Sequence, residues 1–152
     1  MKILVAFDHR GTKLRERVLA ELDALGHELV DLGTDAPEPK VDYPDKAREL
    51  SEALLAAEGE RGILVCGSGV GASVAANKLR GIRAALCHDT YSAHQGVEHD
   101  DMNVLCLGSE IVGAELAGEL VRAFLAARFG GEERFVRRLE KIQDMEGALP
   151  HA

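Results

Sequence analysis

The sequence predicts an α/β domain: a five-stranded parallel sheet between two layers of helices, a three-layer sandwich, with one extra helix at the C-terminal end. Three observations carry this reading. Short apolar runs alternate with longer stretches of helical periodicity five times along the 152 residues, as strands do when crossover helices join them. The stronger runs are continuously apolar, as in strands covered on both faces. Polar and glycine-rich clusters, "DHRG", "CGSGVG", "CHDTYSA" and "LGSE", follow the runs, where open parallel sheets place their ligands.

The elements follow in order. "KILVAF" (2–7) is the first strand. "TKLRERVLAELDALG" sets Leu14, Val18, Leu22 and Leu25 at helical spacing and stops at Gly26. "HELVDLG" is a second, weaker strand. "TDAPEPKVDYPD" holds three of the four prolines and is a loop. "YPDKARELSEALLAAEG" is the second helix, with Pro44 suited to its first turn. "GILVCG" is strand three and "VGASVAANKL" opens helix three. "IRAALC" is strand four, "TYSAHQGVEH" a short helix, and "NVLCLG" strand five, followed by a helix over 112–128. The last segment, 131–147, is amphipathic, with Phe135, Leu139 and Ile142 on one side. The final "ALPHA" (148–152) is expected to fray.

A chain of this length fits one domain, residues 1–152, with a real core. The formal net charge of -8 disfavours a nucleic-acid partner. The sequence contains no apolar run of transmembrane length and no signal-peptide cleavage pattern, so we read it as cytoplasmic with no membrane partner. Cys66, Cys87 and Cys106 are odd in number and form no CxxC pair, which argues against a disulfide framework. Cys87 and Cys106 read as buried core thiols.

Chemistry concentrates at the strand ends. Gly67, Ser68, Gly69, Val70 and Gly71 join a strand to a helix. Such a loop brings backbone N–H groups close to an anion, or to an oxygen that becomes negative in a reaction. It is equally a tight turn that needs glycine. Its spacing is neither GxGxxG nor a P-loop, which disfavours a nucleoside triphosphate. Cys66, at the loop's mouth, is a candidate base or nucleophile; from position alone, a buried strand-end thiol is the stronger reading. Asp8 and His9 form a candidate acid/base pair, with Asp8 as a cap for the next helix as the alternative. His99 lies before strand five. Arg134 and Arg138, one turn apart, could jointly grip a phosphate or form a solvated basic face. His27, His88, His94 and His151 have no such setting.

"FDHRGTKLR", "DLGT", "DYPDKA", "GILVCGSGVGASVAANK", "GIRAALC", "YSA", "NVLCLGS" and the Arg-rich last helix together resemble type B ribose-5-phosphate isomerase, in the superfamily that includes the galactose-6-phosphate isomerase subunits. The stretches come in family order and cover almost the whole chain. The resemblance implies a flavodoxin-like or Rossmann-like sheet. It also implies a homodimer or homotetramer with active sites between subunits, the last helix reaching across to the partner. The implied reaction is metal-free and cofactor-free aldose–ketose isomerisation of a sugar phosphate through a cis-enediol. In it Cys66 is the general base, and Ser68 with the glycine-loop amides stabilises the enediolate. His99 opens the sugar ring and Asp8 helps to hold sugar hydroxyls. His9, Arg134 and Arg138 hold the phosphate, and Tyr43 lines the pocket. Some relatives use a Glu after the glycine loop as base; Ala72 stands there, which places this chain with the cysteine type.

Three departures from the family bear on the substrate. Asp100 follows His99 where Asn is common, Glu110 stands where many members carry a phosphate-binding Arg, and Arg10 replaces a small or apolar residue. Two added carboxylates and one lost cation are expected to weaken phosphate binding, with Arg10 able to compensate. Ribose 5-phosphate is the first expectation for the substrate. A four- or six-carbon sugar phosphate, an unphosphorylated sugar, and a non-catalytic sugar-phosphate-binding subunit are the alternatives. Retention of Cys66, Ser68 and His99 in one chain favours an enzyme. Low aromatic content, 4% with no Trp, argues against a flavin binder.

Overall fold

The computed structural model describes residues 1–148; the remainder of the terminal segment expected to fray, 149–152, lies outside the described residues. Five strands form one parallel sheet: β1 (Lys2–Phe7), β2 (Glu28–Asp31), β3 (Arg61–Cys66), β4 (Ala84–Leu86) and β5 (Val104–Gly108). Six helices accompany them: α1 (Arg15–Ala24), α2 (Tyr43–Leu55), α3 (Val70–Ala76), α4 (Thr90–Asp100), α5 (Ala114–Ala126) and α6 (Glu133–Ala148). A 3-10 turn over Gly11–Leu14 precedes α1.

The strand order is β2-β1-β3-β5-β4. It shares the β2-β1-β3 half of the flavodoxin-like order 2-1-3-4-5 and exchanges the last two strands. Every pairing is parallel, with Val5 opposite Ile63, and Ile63 in turn opposite Leu105. The chain leaves β1 towards β2 on one side and returns as β3 on the other. The crevice beyond the carboxyl ends of β1 and β3 is therefore a topological switch point.

Both faces of the sheet are covered, as the continuous apolar runs require. On one face Ile3, Val5 and Phe7 pack with Val18 of α1, Val97 of α4 and Leu120 of α5. On the other, Leu4, Ala6 and Leu64 meet Ala47 and Leu50 of α2 and Ala72 of α3. A fully buried Leu or Phe in such a layer contributes about 1.5–3 kcal/mol. β2 is short and largely exposed, because it is an edge strand. β4, the other edge, is shorter than its apolar run. Its outer border is occupied by Asn77, whose side-chain amide donates to the Ala84 carbonyl (2.8 Å) and accepts from the Ala84 N–H (2.9 Å).

One buried charge joins two helices of the same layer. Glu21 of α1 is 3% exposed. It receives two hydrogen bonds from Arg122 of α5 (2.6 and 3.0 Å) and an ion pair from Arg17 (3.0 Å). The Arg122 hydrogen bond, more than any other contact, holds the Glu21 carboxyl below its ordinary range.

Candidate active site at the sheet's switch point

β1 ends at Phe7, and the chain turns at once. Asp8 is buried, and its Oδ1 accepts from the N–H groups of Arg10 (2.9 Å) and Gly11 (2.7 Å). It thus caps the 3-10 turn, and Oδ2 is the oxygen outside this contact. Gly11 is required here: a Cβ would lie 2.1 Å from the Val65 carbonyl oxygen. The turn therefore presses directly on β3. His9 Nδ1 lies 3.0 Å from the Val41 carbonyl and 3.3 Å from its amide, which ties the end of β1 to the loop before α2.

β3 delivers Cys66 to the same crevice. The thiol is buried, and the Gly69 N–H donates to its sulfur at 3.1 Å. Gly69 has φ 77°, and a Cβ there would fall 2.5 Å from Leu86 Cδ1 and 2.9 Å from the Leu107 carbonyl carbon. Only glycine fits both the conformation and the space. Ser68 is exposed at the top of the loop, and its Oγ accepts from the Val70 N–H (3.3 Å). Tyr43, the first residue of α2, lays its ring over Gly71, where a Cβ would be 2.6 Å from Cε2 and Cζ. The Arg10 guanidinium lies against Gly67.

Asp8, His9, Arg10, Tyr43, Cys66, Ser68 and the loop thus converge. His99, Asp100, Arg134 and Arg138 do not join them within one chain. α4 begins where β4 ends and runs back against the strands, which carries His99 roughly 14 Å along its axis towards the opposite rim. There His99 stacks on Phe135 of α6, with centroids 4.1 Å apart and planes at 23°. Its Nδ1 lies 2.8 Å from Gln95 Nε2. The Gly130 N–H donates to the Glu98 carbonyl (2.9 Å) and seats the start of α6. Arg134 covers the Phe135 ring (4.6 Å to its centroid) and pairs with Glu132 (3.0 Å); Arg138 is exposed. Asp100 lines a cleft of about 380 Å3 with Met102, Ile142 and Met145. That cleft is largely apolar and separate from Cys66.

Two residues near the crevice carry no signal in the sequence. Lys13 hydrogen-bonds Glu110, a partner 97 residues away. His88 Nε2 accepts from the Gly108 N–H (3.3 Å). The other thiols are core groups, as expected: burial pushes Cys87 up to about 11, with Asp89 adding to the shift, and burial raises Cys106 as well. Among the described residues no group of three or more His, Cys, Asp or Glu side chains converges as a metal site.

The thiol, hydroxyl and glycine loop gathered at the switch point accord with the resemblance, and relatives that match nearly the whole chain make it a sugar-phosphate isomerase of the type B ribose-5-phosphate isomerase kind. Residues 3–142 match the ribose/galactose isomerase family, and the chain belongs to it. Ribose-5-phosphate isomerase B of Escherichia coli is 43% identical over 145 residues, 95% of this chain and 96% of the relative. D-erythrulose-4-phosphate isomerase 2 of Mycolicibacterium smegmatis is 33% identical over 150 residues, 97% of this chain and 99% of the relative. The solved ribose-5-phosphate isomerase B of Clostridium thermocellum superposes with a TM-score of 0.92 at 43% identity, covering 97% of this chain and 98% of that one. The expected fold and aldose–ketose isomerase class therefore stand. Among the described residues no helix is long and apolar enough to cross a membrane.

Proposed function

We propose that this chain interconverts ribose 5-phosphate and ribulose 5-phosphate, with Cys66 as the base. The observation that carries the proposal is the seat of the Cys66 sulfur, fixed by the Gly69 N–H at 3.1 Å beside Ser68 and between the ends of β1 and β3. Isomerisation needs a base at the C2 proton and donors where the carbonyl oxygen becomes negative. Cys66 as thiolate takes the C2 proton while the C1 carbonyl oxygen gains charge. Ser68 and the loop amides stabilise that oxygen in the cis-enediolate. The O2 hydroxyl proton passes to O1, the carbon-bound proton returns from Cys66 to C1, and C2 becomes the ketone carbon, so atoms and charge balance. Tyr43 walls the pocket, and Asp8 Oδ2 meets a sugar hydroxyl.

The site is completed by a second copy of the chain. His99, Asp100, Arg134 and Arg138 sit at the far rim of their own sheet, so a partner supplies them: His99 to open the ring, and Arg134 and Arg138, with His9, to hold the phosphate. In this reading α6 (131–147 as expected, Glu133–Ala148 as observed) reaches across the interface of a cytoplasmic homodimer or a pair of dimers.

A four-carbon sugar phosphate is the second reading. It is supported by the erythrulose-4-phosphate-acting relative and by Asp100 and Glu110 in place of Asn and Arg. A coupled assay over four-, five- and six-carbon aldose phosphates, with Cys66→Ala alongside, tests both. Ribose 5-phosphate turnover that falls at least about a thousandfold in the variant, with melting unchanged, is the expected result. Turnover retained in Cys66→Ala overturns the role of the thiol; preference for another sugar moves the substrate.

A further inference from the structure

Glu110 is the residue expected to repel a phosphate, yet its carboxylate is already engaged. Lys13 Nζ donates to Glu110 Oε1 at 2.5 Å, and Arg10 Nη2 lies 3.6 Å from the same oxygen. The Lys13 hydrogen bond, with the charges of Lys13 and Arg10, keeps the Glu110 carboxyl below its ordinary range. Two cations share one carboxylate, so the cluster carries one net positive charge. The three side chains are exposed: 55% for Arg10, 59% for Lys13 and 36% for Glu110. Ion pairs this exposed add little to stability, which leaves the cluster's presence at the crevice to be explained by what it does there.

The cluster is also fastened to the loop. Ser109 Oγ donates to the Arg10 carbonyl (2.8 Å). The N–H groups of Ser109 and Glu110 donate to the carbonyls of Cys66 and Gly67 (2.9 Å each). The Arg10 guanidinium lies so close over Gly67 that a Cβ there would be 2.5 Å from Cζ. Lys13 makes the short bond to Glu110 and Arg10 the long one, so the guanidinium keeps donors for a ligand while its position is restrained. Without Lys13, Glu110 would close on Arg10 and occupy its donors.

We propose that Lys13 and Glu110 are positioning residues that hold the Arg10 guanidinium over Gly67 as a contact for the phosphate of the substrate. This rests on the sugar-phosphate site proposed above. In that site Arg10 supplies the positive charge that Glu110 removes relative to the family.

The test measures KM and kcat on the sugar phosphate that is turned over, inhibition by inorganic phosphate, and calorimetric titration of inorganic phosphate into each variant. Arg10→Met is expected to raise KM and weaken phosphate binding about tenfold, as for one lost charge-assisted hydrogen bond, with kcat within about threefold. Lys13→Met is expected to weaken both about threefold, and Lys13→Arg to restore them. The Arg10→Met/Lys13→Met double variant should be no worse than Arg10→Met alone, because Lys13 acts through Arg10. Unchanged KM and phosphate binding in Arg10→Met, with Cys66→Ala inactive, overturn this inference and leave the isomerase site standing. Additive losses in the double variant overturn the positioning role. Turnover retained in Cys66→Ala is instead the failure of the proposed site, and phosphate titration still reads Arg10 directly. Phosphate binding indifferent to Arg10 there overturns the inference too.

Discussion

The Gly69 amide points at the Cys66 sulfur from 3.1 Å, and this one contact closes the turn that carries the proposed base. Gly69 can make it because its φ is 77° and it has no side chain to strike Leu86 and the Leu107 backbone. Gly69→Ala is expected to cost about 3 kcal/mol, from the left-handed strain and the overpacking together. Turnover should fall further than that loss of stability explains. Thermal unfolding and kcat on the same preparation check it; wild-type values for both would show that the loop tolerates a side chain.

Thiol chemistry should separate the three cysteines. Burial holds Cys87 up at about 11 and raises Cys106 as well, so both remain protonated and packed at pH 8. Iodoacetamide on the folded protein is expected to modify one thiol per chain, Cys66, with activity falling in step. Peptide mass spectrometry checks the assignment; modification of Cys106 before Cys66 would contradict it.

Phe135 is the platform for His99, with ring centroids 4.1 Å apart. Phe135→Ala removes that platform and the buried ring that seats α6, at a cost of about 3 kcal/mol. Turnover is expected to drop, since in the proposed dimer the His99 that this ring supports serves the site at the partner's Cys66. Steady-state kinetics beside thermal melting checks it; wild-type turnover would mean that the Phe135 ring does not position His99.

Acid should weaken the α1–α5 seam. The Glu21 carboxyl is lowered in the folded protein, chiefly by the Arg122 hydrogen bond. A carboxyl depressed on folding stabilises above its unfolded value, about 4.3, and that contribution disappears as pH falls through the folded value. Glu21→Gln should therefore lose several degrees of melting temperature at pH 7 and progressively less below about pH 4. A deficit that grows in acid would reverse the sign and remove the ion pair as its cause.

Much of this was legible along the chain because the relevant contacts are local. Asp8 reaches Gly11 within the same turn, so its alternative reading as a cap rests on local spacing. The Gly69–Cys66 contact is as local, but from position alone Cys66 reads as a buried strand-end thiol, and its role as base comes from the resemblance. The strand order was not legible. Crossover helices of similar length can set β5 on either side of β4, and what distinguishes the two is a set of distant pairings, such as the Asn103 side-chain oxygen accepting from the Arg83 N–H (2.8 Å). The Lys13–Glu110 contact joins residues 97 apart and has no local signal, so along the sequence Glu110 reads as repulsive to a phosphate. α1 was read as starting at Thr12; the chain instead tightens into a 3-10 turn, because Asp8 draws in the Arg10 and Gly11 amides and the backbone must fit against β3.

A single carboxamide makes the border of the sheet at β4 finite. Asn77 presents one donor and one acceptor to Ala84, the pair that a neighbouring strand would offer, but no chain continues beyond it. The side chain is a counterfeit strand one residue long. Another polypeptide arriving at that border finds the Ala84 groups already taken, so this edge, unlike the one at β2, is a poor place from which to lengthen the sheet.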